Sequence, residues 1–144
     1  METMHTTKIL RLAFVLIAAL FLASCKTDSD GDWDPMVWNA ETPGIQTTNG
    51  TYEVSNEGAT LTFACQNYSN PWIDGAKEDD YYIMVSTEND RRWIDSKYFH
   101  AETDGNKLVV EFYPNNEPQI RNISITVTAG DIFYTFNFKQ AAAE

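Results

Sequence analysis

The chain has 144 residues, 13% of them aromatic, and carries 21 acidic against 10 basic side chains, a formal charge of −11 at pH 7. A polypeptide this acidic repels phosphate backbones and anionic lipid surfaces, so no nucleic-acid partner is expected and charge will not hold it at a membrane. Its length allows one ordinary domain beside a targeting segment.

Residues 1–11 are polar and include Lys8 and Arg11; Leu12–Ala23, "LAFVLIAALFLA", is then an unbroken apolar run. Its twelve residues fall short of the roughly 20 that span a bilayer as a helix. A basic start, a short apolar core and small residues before a break mark a secretory signal. The break, Leu22-Ala23-Ser24-Cys25, resembles the bacterial lipobox. That resemblance implies a diacylglyceryl group on the Cys25 thiol, with cleavage leaving Cys25 as the first mature residue. Residues 1–24 are thus expected to be a lipoprotein signal peptide, and the N-terminal acyl chains to anchor the protein in the outer membrane. Two or more chains make a stable anchor where one is reversible. Ordinary secretion with an unmodified Cys25 is the alternative.

Lys26 is followed by Asp28, Asp30, Asp32 and Asp34. An EF-hand loop needs glycine at its sixth position and glutamate at its twelfth. Counting from Asp28 those places hold Trp33 and Asn39, so no metal is expected there. Lys26, Asp28 and Asp30 beside a lipidated cysteine instead resemble the surface-export signal of Bacteroidetes lipoproteins, and residues 25–44 read as an acidic tether. Removing residues 1–24 takes one acidic and two basic side chains, leaving 20 and 8 and a formal charge of −12. With Cys25 consumed, Cys65 has no partner for a disulfide and reads as a small buried apolar residue.

From residue 45 the apolar pattern has period two. Leu61, Phe63 and Cys65 alternate with Thr60, Thr62 and Ala64; Ile123, Ile125 and Val127 with Ser124, Thr126 and Thr128; Ile132, Tyr134, Phe136 and Phe138 with Phe133, Thr135, Asn137 and Lys139. Residues 81–87, 97–103 and 106–113 read as further strands, each with one buried and one wet face. Asp104-Gly105 and Ala129-Gly130-Asp131 supply hairpin turns, and Asn49-Gly50 and Glu57-Gly58 earlier ones. About seven antiparallel strands with no helical period predict an all-β, immunoglobulin-like β-sandwich over residues 45–144.

"VSNEGATLTFACQNYSNPWI" (54–73), "RWI" (92–94), "YPNNEPQIRNISITVTAG" (113–130) and "FNFKQAA" (136–142) resemble the BACON domain of Bacteroidetes surface proteins. Glu57-Gly58, Trp72, Trp93, Asn115 or Asn116, Arg121, Gly130 and Gln140 carry the resemblance, while the acidic insert "DGAKEDDYY" (74–82) departs from it. The resemblance implies a sandwich that serves as a carbohydrate-binding or spacer module. No catalytic domain is expected after Ala142.

Catalysis finds little support in the residues. His100 is the only histidine after the signal peptide and accompanies no nucleophile motif. Glu78, Asp79 and Asp80 are consecutive and cannot flank a sugar from two sides. No phosphate-cradling loop or Cys/His cluster suggests a cofactor. Glycan binding needs aromatic faces rimmed by amides and carboxylates. Trp72, Tyr81, Tyr82 and Trp93 are the candidates, with Asn67, Asn70, Asp74 and Asp95 nearby in sequence. Against this, Trp72 and Trp93 read as core, where the large aromatics of a small sandwich usually lie. Phe133, Trp33 and Trp38 are further contact points. The expected function is a non-catalytic, lipid-anchored module at the cell surface that binds a polysaccharide or host glycan. The alternative is a structural spacer or assembly partner of a surface protein complex.

Overall fold

Each stretch of period-two alternation contains a strand, though the one at 81–87 stops at Met84 and gives way to a 3-10 turn at Thr87–Asn89. A computed structural model describes residues 33–144, with strands β1 (Trp38–Ala40), β2 (Gln46–Thr48), β3 (Thr51–Val54), β4 (Ala59–Cys65), β5 (Trp72–Glu78), β6 (Tyr81–Met84), β7 (Trp93–Asp95), β8 (Phe99–Asp104), β9 (Lys107–Phe112), β10 (Arg121–Thr128) and β11 (Phe133–Gln140). One sheet has the order β1-β4-β9-β8-β7 and the other β2-β3-β11-β10-β5-β6. Three interior strands in the first and four in the second form the body of the sandwich; the strand expected at 81–87 is instead the edge strand β6, and β3 and β5 fill interior places that alternation did not mark. The other four, of three or four residues each, are the outer edges. Pairing is antiparallel except between β3 and β11, which run parallel with Thr51 opposite Asn137.

The inner faces meet in a core of aromatic rings, giving an immunoglobulin-like β-sandwich. Phe63 of β4 lies 4.7 Å from Phe136 of β11, centroid to centroid, and Phe112 of β9 lies 4.9 Å from Phe138. Leu61, Val110, Ile123, Ile125 and Val127 fill the space between them, and Cys65 is buried as read from the sequence. Burying each such side chain contributes about 1.5–3 kcal/mol.

The sandwich begins earlier than residue 45. Its folded unit runs from Trp33, because the segment before β2 is stitched to the fold. Met36 is buried, and the Trp38 ring packs edge-on against Phe136 at 5.1 Å. Asn67 accepts the Val37 N–H at 2.9 Å and donates to the Pro35 carbonyl at 2.9 Å, while the Tyr68 hydroxyl donates to the Asp34 carbonyl at 2.6 Å. Residues 33–44 are therefore part of the domain and not tether, and Trp38 serves the core; only Trp33 of that pair is exposed. The signal peptide at 1–24 and Cys25, Lys26, Asp28 and Asp30 lie outside the described residues.

One end of the sandwich is closed by polar groups. Gln140, at the inward position that ends β11, is fully buried. Its amide donates to the carbonyls of Ser55 (3.2 Å) and Tyr113 (2.8 Å), and its oxygen accepts from Arg121 Nη1 (3.3 Å). The Arg121 guanidinium lies 3.9 Å from the Tyr98 ring centroid. Buried Asn115 donates to the carbonyls of Gln119 and Ala141, both at 2.8 Å. Gly58 closes the same corner: at φ +86 it lies against the Phe112 carbonyl, which an added Cβ would strike. Gly58, Asn115, Arg121 and Gln140 are four of the residues that carry the sequence resemblance, and here they form one clamp at this corner.

Candidate functional site

β5 was hidden in the sequence by a β-bulge. Ile73 pairs with Val127 and Gly75 with Thr126, so Asp74 is the extra residue that breaks the alternation. After the bulge Gly75 and Lys77 face outward, opposite Met84 and Tyr82 of β6. Gly75 has no side chain because Tyr82 lies across it: an added Cβ would sit 2.8 Å from the phenol Cζ. The ring thus rests against the sheet, 54% of Tyr82 remains exposed, and Met84 stands beside it at 78%.

The same outward row continues across the sheet through Lys77, Ser124, Asn137 and Thr51. A shallow groove of about 260 Å³ runs along it, with Asp79 and Asn122 at its rim. Asp79 accepts from the Asn122 side-chain amide at 3.0 Å. On the next row the hydroxyls of Thr126 and Thr135 are 2.9 Å apart. Aromatic surface, hydroxyls, amides and a carboxylate therefore share one face, the combination that sugar recognition requires.

Trp72, half-buried at the start of β5, forms one wall of a separate cleft of about 360 Å³ with Thr87, Asp90 and Arg91. The loop opposite it is bolted to both sheets. The Arg91 carbonyl accepts from Ile73 N–H of β5 (2.9 Å) and the Arg92 carbonyl from Thr103 N–H of β8 (2.7 Å). Arg91 Nη1 reaches Asp74 at 3.4 Å and Arg92 Nη1 donates to Asn70 at 2.9 Å. Arg91-Arg92 is the only pair of adjacent basic residues in the chain, a signal the sequence held and the expected site did not use.

Trp93 does not join this group. It faces outward from β7 on the other sheet, 44% exposed, with its ring stacked on His100 at 6.3 Å. The expectation of a core residue is thereby corrected: Ile94 takes the inward position and leaves Trp93 on the surface. His100 Nδ1 is 2.6 Å from Asp95 and Nε2 3.8 Å from Glu102, so carboxylates face both ring nitrogens. Tyr81, 80% exposed, points to the opposite side of β6 from Tyr82. Of the four candidates, then, Trp72 and Tyr82 share the face of one sheet. Tyr81 sits at its edge and Trp93 on the other sheet. Phe133 is exposed in the cross-strand row that contains Trp72 and Thr128. Among the described residues no cluster of three or more His, Cys, Asp and Glu side chains could hold a metal ion.

No family model matches the chain, and no curated protein matches it. Among solved structures, the NMR structure of a protein from Bacteroides thetaiotaomicron is 31% identical, covers 82% of this chain and 96% of its own, and superposes with a TM-score of 0.68. The twitchin kinase region from C. elegans covers 65% of this chain and 15% of its own at 11% identity and a TM-score of 0.43, a similarity too slight to argue from.

Proposed function

The chain belongs to the family of that Bacteroides thetaiotaomicron protein, and from this premise we propose a non-catalytic, lipid-anchored surface module that binds a glycan on the outward face of β5 and β6. The observation that carries the proposal is the exposed Tyr82, with its phenol end packed over Gly75 and its position in the cross-strand row of Lys77, Ser124 and Asn137. Such a ring offers its face to sugar C–H groups, and the polar row meets the hydroxyls. Trp72 extends the surface toward the start of β5. A BACON-like assignment draws support from the clamp, in which Gly58, Asn115, Arg121 and Gln140 of that resemblance serve as structural residues.

In this proposal Cys25 carries the acyl chains, Lys26, Asp28 and Asp30 direct export, and the domain stands on the outer face of the outer membrane. Cys25→Ala would then abolish acyl labelling and release the protein from the outer-membrane fraction; unchanged fractionation refutes the anchor. For the glycan, residues 33–144 titrated with soluble polysaccharides should change tryptophan emission, and Trp72→Ala should remove the change while the far-ultraviolet spectrum stays the same. Silence across plant and host glycans would favour the second reading, a spacer or assembly partner. That reading has its own observation: Tyr81 and Met84 expose apolar surface on an unpaired sheet edge.

A further inference from the structure

Granted a glycan at this surface, we infer that the sugar seated on Trp72 is a neutral one, held through adjacent hydroxyls and not through a carboxylate or sulfate; the inference rests on the glycan proposal. The cleft beside the indole has Thr87, Asp90 and Arg91 on its walls. Of the lining residues, Asp90 balances the guanidinium of Arg91, so the formal charge of the cleft is zero. Arg91 already faces Asp74 at 3.4 Å. An incoming carboxylate would compete with Asp74 for that guanidinium and meet the negative charge of Asp90 in the same cleft. The remainder of the chain, at −11, adds long-range repulsion against a polyanion.

A pair of neighbouring hydroxyls suits the same groups. Each hydroxyl both donates and accepts, Asp90 can only accept, and the guanidinium has five N–H donors of which Asp74 takes one. Donor and acceptor are neighbours in the chain and line the same cleft, and both Asp90 and Arg91 are left-handed, with φ of 54 and 57. Two successive non-glycine residues in that region are held by their surroundings. Asn89 accepts the Arg91 N–H at 3.0 Å and donates to the Trp93 carbonyl at 2.8 Å, and Ile73 N–H fixes the Arg91 carbonyl. The cleft is thus set before any ligand arrives, which lowers the ordering cost of binding.

The test is a titration of residues 33–144 with galactomannan and xyloglucan, and with polygalacturonate and chondroitin sulfate, at low and at physiological salt. Tryptophan emission and affinity electrophoresis give the readout. The neutral polymers should bind, with an affinity that salt changes by less than about twofold, since no counterions are released. Asp90→Asn retains a side chain that tolerates the left-handed backbone and removes one charged acceptor. It should weaken neutral binding by about tenfold and raise the relative affinity for the anionic polymers, a crossover that a structural defect would not produce. Tighter binding of the anionic polymers, weakening as salt rises, would overturn the inference and leave the glycan proposal standing. Binding by none of the four would overturn both.

Discussion

Replacing Gln140 tests whether the buried polar clamp holds the sandwich together. Truncation to alanine removes three hydrogen bonds at 2.8, 3.2 and 3.3 Å. It also strips the side-chain partner from the Tyr113 carbonyl, while the Ser55 carbonyl keeps the Gly58 N–H and Arg121 Nη1 keeps the Pro114 carbonyl; Arg121 Nε has no partner to begin with. A buried hydrogen bond contributes about 1 kcal/mol net, and groups left unpaired cost about 1–3 kcal/mol more. The expected loss is about 3–5 kcal/mol, a large share of the roughly 5–15 kcal/mol that keeps a domain folded. Gln140→Met fills nearly the same volume, so its loss, about 2–3 kcal/mol, isolates the polar part. Urea unfolding of residues 33–144 followed by tryptophan fluorescence gives both numbers. With a slope of about 1.5 kcal/mol per molar, the alanine variant should lose about 2 M or more from its midpoint. A methionine variant within about 0.5 kcal/mol of the parent would refute the reasoning, because surface-like changes are of that size.

Three further outcomes are expected. Gly58→Ala should cost several kcal/mol, because φ +86 and the Phe112 carbonyl both oppose a Cβ, while Gly105→Ala, with open space around it, should cost only about 1–2 kcal/mol; equal losses in urea titration would contradict this. Gly75→Ala should leave stability within about 1 kcal/mol, since the Tyr82 ring at the sheet edge can swing aside, yet it should reduce polysaccharide binding measured by affinity electrophoresis. Burial, then the neighbouring Tyr134 phenol, raises the Tyr52 pKa above its ordinary value near 10. A group raised in the folded state lends its full stability below its unfolded pKa and loses it as pH climbs through the folded value. Stability measured by urea titration should therefore hold up to about pH 10 and then fall, less steeply in Tyr52→Phe; Tyr113, raised in the same direction, keeps part of the decline.

Alternation made the long strands legible. β4, β8, β9, β10 and β11 each show one face to the core, and side-chain polarity follows that directly. β5 escaped because the bulge at Asp74 shifts the period and Gly75 offers no side chain to read. β1, β2 and β7 are three residues long, too short for a period to register. The site was half legible: aromatic residues announced themselves, but which sheet each would face depends on long-range pairing. Trp72 and Trp93 read alike in one dimension and lie on different sheets. Arg91 and Asp90 gain their meaning from a left-handed loop that no composition announces.

The stitching of residues 34–38 governs how the domain responds to mechanical load. Tension entering from the N-terminal side meets first the Tyr68–Asp34 bond, then the two Asn67 bonds, then Trp38 seated on Phe136. Behind them lies the β1–β4 ladder, Trp38 opposite Cys65, so a pull from that side is borne along one edge of the five-stranded sheet, and the β5–β6 surface belongs to the other sheet.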